Sequence, residues 1–197
     1  MRALVLVLPA LLLAAGPCLA QNADDVRISG RVEKFERGLI SVSPSQGIVL
    51  TIRFDAKPGI NSMRRAKPAD LKAGMQVAVE AKTNPTGGLM ASQVIIYEQG
   101  AERAAGAAAS TEPSDVVARL SAVTQSADGA QLTLAYKEGE RKIALAKESV
   151  VWIARPASAE DIKPGALITL SGTKPVDGEI HVIKASVGPA GGDNPPL

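Results

Sequence analysis

Apolar and polar residues alternate with a period of two along most of this chain. Ile28, Gly30 and Val32 alternate with Ser29, Arg31 and Glu33, and Leu50, Ile52 and Phe54 alternate with Thr51, Arg53 and Asp55. Met75, Val77 and Val79 alternate with Gln76, Ala78 and Glu80. Later, Leu132 and Leu134 flank Thr133, Ile143 and Leu145 flank Ala144, and Ile168 and Leu170 flank Thr169. Successive side chains of a strand point to opposite faces, so this pattern predicts strands with one apolar face each, not helices. Turn-forming residues separate the runs: Arg37-Gly38, Pro44-Ser45-Gln46-Gly47, Asn84-Pro85-Thr86-Gly87-Gly88, Asp128-Gly129, Glu138-Gly139 and Val176-Asp177-Gly178.

The pattern occurs twice. Ala69-Asp70-Leu71-Lys72-Ala73-Gly74 matches Glu160-Asp161-Ile162-Lys163-Pro164-Gly165 at an offset of 91 (161 minus 70). The same offset sets Ile52 on Ile143, Phe54 on Leu145, Arg64 on Arg155, Val94 on Ala185 and Ile96 on Val187. Near the front, gaps are needed to place Gly30-Arg31-Val32 on Ala118-Arg119-Leu120. Two homologous units follow, at about 27–98 and about 116–187, each with about five short strands. Residues 99–115 between them are rich in alanine and glycine and read as a linker, and 188–197 reads as a disordered Gly/Pro-rich tail.

Alternation breaks at the matching motif. Pro68–Lys72 and Ala159–Lys163 can each form one helical turn, stopped by Gly74 or by Pro164-Gly165. Five half-buried strands in so short a unit suit a small barrel, which hides its sheet edges by closing. A short helical turn between the third and fourth strands is the layout of an OB-type barrel. The expected fold is therefore all-β: two tandem, five-stranded OB-like barrels joined by the Ala/Gly linker. Leu71 would plug the first among Ile52, Val77 and Val94, and Ile162 the second among Ile143, Ile168 and Ala185.

These motifs resemble an exported bacterial family of OB-like domains, catalogued as a domain of unknown function and often found in tandem. The resemblance is carried by Gly30-Arg31-Val32, by Ala69 to Val79, and by Gly88-Leu89-Met90-Ala91-Ser92-Gln93-Val94. The second unit departs from it, with Ala118 in place of Gly30 and His181-Val182 in place of Met90-Ala91. The resemblance covers most of the chain after its leader. It implies the barrel fold and supplies no catalytic residues.

The first 20 residues change the address. A basic Met1-Arg2, an apolar run from Ala3 to Ala15 and a small-residue end at Cys18-Leu19-Ala20 make a secretory signal peptide, with cleavage after Ala20. The run is shorter than the roughly 20 residues of a membrane-spanning helix, so the mature chain is expected in the periplasm or secreted. Lipidation of Cys18 is the disfavoured alternative, because Pro17 precedes it. Cys18 is the single cysteine of the 197 residues, so cleavage removes thiol and disulfide chemistry.

Candidate chemistry is sparse. His181 is the single histidine, too few for a His/Cys zinc site. Met63, Met75, Met90, Trp152 and His181 could hold a soft metal only by drawing on both units, and packing is the favoured role for the methionines and the tryptophan. Asp70 and Asp161 recur at equivalent places and suit the first turn of a short helix. No metal or other cofactor is expected.

Charge adds one lead. Between residues 27 and 98, eleven lysines and arginines face six acids, a balance of +5, densest at Arg64-Arg65-Ala66-Lys67 on an expected loop. Arg64, Arg65 and Lys67 are thus the candidate contacts for an anionic partner. Nucleic acid is not expected, since base stacking needs exposed aromatics and this unit has only Phe35, Phe54 and Tyr97. The sequence leads to a non-enzymatic exported binding or scaffold protein for an unknown protein or ligand. The alternative is an envelope protein whose basic first barrel binds an anionic polymer or surface.

Overall fold

Period-two alternation yields strands almost throughout the computed structural model. It describes residues 24–44, 47–54, 58–84, 87–101, 115–126, 129–136, 139–174 and 180–197. The expected signal peptide with Cys18, and 102–114 of the expected linker, lie outside the described residues. The strands are β1 (Asp24–Glu36), β2 (Leu39–Ser43), β3 (Leu50–Arg53), β4 (Gly59–Ala66), β5 (Gln76–Thr83) and β6 (Leu89–Tyr97), then β7 (Asp115–Ser126), β8 (Gly129–Tyr136), β9 (Gly139–Pro156), β10 (Leu167–Lys174) and β11 (His181–Gly188). Two single 3-10 turns, Pro68–Asp70 and Ala159–Asp161, fall where the alternation breaks.

The strands join in the order β3-β2-β1-β10-β11-β4-β9-β6-β5-β7-β8, and β8 pairs again with β9. That second pairing closes β5, β6, β7, β8 and β9 into a five-stranded barrel. Its interior is filled by Val77, Val79, Val94, Leu120, Leu132, Leu134, Ile143, Leu145 and Val151, each at most 1% exposed. The remaining strands wrap a second core built on Val32, Ile40, Val42, Ile52, Ile168, Leu170 and Ala185.

Neither core belongs to one stretch of sequence. The closed barrel takes β5 and β6 from the first half of the chain and β7 to β9 from the second. The other core takes β1 to β4 from the first half and β10 and β11 from the second. The two halves thus exchange their last two strands, in place of the self-contained 27–98 and 116–187 barrels expected. The plug residues show the same exchange. Leu71 and Ile162 are both buried, each 4% exposed, but Leu71 shares a cluster with Ile143 and not Ile52, while Ile162 shares one with Ile52.

The exchange is symmetric in register. Arg31 on β1 faces Leu167 on β10, and Arg119 on β7 faces Gln76 on β5. Tyr97 faces Gln76, and Gly188 faces Leu167. Bulges fall between Glu80 and Ala81 and again between Ser171 and Gly172. The parallel pairs Val94–Val151 and Ala185–Ile60 also match. Each 3-10 turn is tied to the opposite half: the Gly74 N–H donates to Leu120 O (2.7 Å), and the Gly165 N–H to Val32 O (2.7 Å). Both glycines have positive φ, 90° and 86°, a conformation that a side chain would strain.

Two further expectations change. Arg64 and Arg65 lie within β4, not on a loop, because β4 runs between β11 and β9 and pairs with both. The segment after Gly188 is packed against the sheet, not disordered. Pro195 and Pro196 are buried, the Thr169 hydroxyl donates to Pro195 O (2.6 Å), and Asp193 pairs with Arg65. Gly188 stands where the first half has Tyr97, and its missing side chain leaves room for Pro195.

Candidate functional site

The basic cluster is the site that the sequence singles out, and β4 divides it. Arg64 and Arg65 are consecutive in a strand, so they leave it on opposite faces. Arg65 faces Trp152 across the β4–β9 ladder, and its guanidinium lies 4.6 Å from the centre of the indole ring. The same side chain pairs with the Asp193 carboxylate. Both groups of that pair are well exposed, 45% and 67%, so it contributes about 0–1 kcal/mol. The cation–π contact adds about 0.5–1 kcal/mol at such a site. Arg65 is thus engaged by two groups of its own chain.

Arg64 and Lys67 are exposed. The Lys67 backbone N–H donates to Asp70 Oδ2 (2.9 Å), which caps the 3-10 turn. The second turn repeats this: Asp161 Oδ2 accepts from the Ser158 N–H (2.8 Å) and from its hydroxyl (3.1 Å). Those bonds hold the Asp161 carboxyl below its ordinary range, the backbone bond first. Both recurring aspartates therefore cap turns. Arg155, the counterpart of Arg64, has its Nε 2.9 Å from Glu98 Oε1.

The soft-metal candidates part company. Met63 and Trp152 meet in a third buried cluster with Ile95, Tyr97 and Ala154. Met75 packs against the closed barrel and accepts the Lys72 N–H at its sulfur (3.4 Å). Met90 is 37% exposed on β6, and His181 is exposed at the start of β11. Among the described residues, no three His, Cys, Asp or Glu side chains converge as a metal site. The aromatics of the first half are also occupied. Phe35 and Phe54 meet edge to face at 5.5 Å and 73°, and Tyr97 is 7% exposed.

One feature was not legible in the sequence. An open polar cleft of about 470 Å³ lies between β1, the end of β2 and the C-terminal segment, lined by Arg31, Glu33, Ser43, Leu167 and Asp193 among others. Gly30 in its floor lies against the Ser43 backbone, and a methyl group there would collide with it. No signal in the sequence pointed to Asp193, because the residues around it read as a tail without partners.

No protein-family model, curated protein or solved structure matches this chain.

Proposed function

We propose that this is an exported, non-enzymatic binding or scaffold protein built on two OB-like barrels with exchanged strands. The ring of the closed barrel supports the barrel assignment. Numbered by place within a unit, its strands run 1-2-3-5-4 and return to 1, with the third and fifth parallel, which is the OB arrangement. The observation that carries the function is the filled interior: its side chains leave no room for a ligand, so partners are met on outer surfaces. The adjacent Ile48 and Val49, 61% and 54% exposed beside β3, offer an apolar contact for a protein partner.

The competing reading is an anionic envelope polymer bound by the basic first half. Exposed Arg64 and Lys67 support it, and the engagement of Arg65 by Asp193 and Trp152 weakens it. A pull-down from periplasmic extract with the mature chain separates the two. A protein retained at high salt and lost with the double variant Ile48→Asp, Val49→Asp supports the scaffold. Polymer binding that disappears at high salt and with Arg64→Glu, Lys67→Glu supports the alternative.

A further inference from the structure

We propose that the chain also exchanges halves with a second copy of itself, so that the first half of one molecule completes the barrels with the second half of another. Five ladders join the halves: β1–β10, β4–β11, β4–β9, β5–β7 and β6–β9. They include strand pairings of both cores, and each core lacks two strands and its plug if the other half is removed. None of these contacts requires the two halves to be covalently joined. An identical half from another chain presents the same register, the same bulges and the same glycine clamps.

What decides the partner is the connection between β6 and β7. Tyr97 at the end of β6 faces Gln76, and Asp115 at the start of β7 faces Glu80, on opposite sides of β5. Two strand spacings and four residues along β5 separate them by roughly 16 Å. Residues 98–114 could reach about 60 Å if extended. The connection is therefore long enough for pairing within a chain and also for pairing with a neighbour. Association within the chain is favoured at low concentration, because the tether raises the effective concentration of the second half. Shortening the connection below the required span removes that advantage.

The test is the mature chain with residues 99–114 deleted, which leaves Glu98 alone to bridge a gap it spans by only about 7 Å. Light scattering after size exclusion should give twice the chain mass, with Trp152 fluorescence like that of the parent. A folded monomer, whatever its stability, would overturn the proposal. If the deletion variant does not fold, the parent chain itself decides. Refolded from urea at rising concentration, it should trap a growing dimer fraction that persists on dilution. Monomer alone at every concentration would overturn the proposal equally.

Discussion

Met63 on β4 lies directly opposite Ala154 on β9, and Ala154 is its own counterpart in the second half (154 minus 63 is 91). On either side, Asn61 faces Pro156 and Arg65 faces Trp152. The same offset turns Asn61 into Trp152 and Arg65 into Pro156. A local two-fold axis therefore passes through the Met63–Ala154 pair. The seam between the halves has the self-complementary form usual at the interface of a symmetric dimer, here within one chain.

Cutting the chain in the 102–114 segment should leave a single particle. A protease site placed there, once cleaved, should give two fragments that co-elute and keep the fluorescence of buried Trp152. They should separate only where urea unfolds both. Two fragments eluting separately, each folded, would mean that each half closes its own barrel.

Leu71→Ala should cost about 2–5 kcal/mol by leaving a cavity in the closed barrel. The damage should cross the halves: hydrogen-exchange protection should fall at Leu132 and Leu145 as well as at Val77, since all share the cluster of Leu71. Ile162→Ala should do the same at Ile40 and Ile52. Exposed Lys72 and Lys163 are the controls, with alanine shifting stability by less than about 0.5 kcal/mol. Protection lost only within residues 27–98 on Leu71→Ala would contradict the exchanged arrangement.

The C-terminal segment should stabilise the sheet beneath it. Truncation after Gly191 removes the acceptor for the buried Thr169 hydroxyl, the partner of Arg65 and two buried prolines. The expected loss is about 1–3 kcal/mol, mostly from the exposed apolar surface, because the Thr169 hydroxyl keeps the Ser29 hydroxyl as a partner at 3.0 Å. Urea midpoints of the parent and the truncated chain measure it, and equal midpoints would reduce the segment to a passive cover.

The pH dependence of the second turn has a fixed sign. The folded Asp161 carboxyl sits below its ordinary value because the Ser158 N–H and hydroxyl favour the charged form. Its contribution is therefore present above the unfolded pKa and is lost as pH falls through the lower folded value. A carboxyl-carbon NMR titration should place Asp161 below an ordinary aspartate, and Ser158→Ala should move it part of the way back. A midpoint unchanged by Ser158→Ala would remove the hydroxyl from the cap.

Much of the fold was legible because it depends on local rules. Alternation marks the strands whichever neighbours they find, and Leu71 and Ile162 stand out because each is the lone large apolar residue in its break. The caps at Asp70 and Asp161 follow from their own neighbours at three residues' distance. The basic cluster is less legible. Its run of polar residues resembles a loop, and the buried alternation that makes β4 a strand rests on Asn61 and Met63, covered only in the assembled sheet.

The sequence by itself determined that the chain is all-β, that its pattern repeats at an offset of 91, and which face is apolar in the strands that alternate. Tertiary structure alone decided which half supplies each strand. By sequence Ile52 and Ile143 are equivalent candidates to surround Leu71, because the repeats share one apolar pattern, and the structure sets Ile143 there. The same limit applies at the end of the chain. Residues 188–197 cannot bury a core of their own, and their order comes from Thr169 and Arg65, which satisfy a carbonyl and a carboxylate far away in sequence.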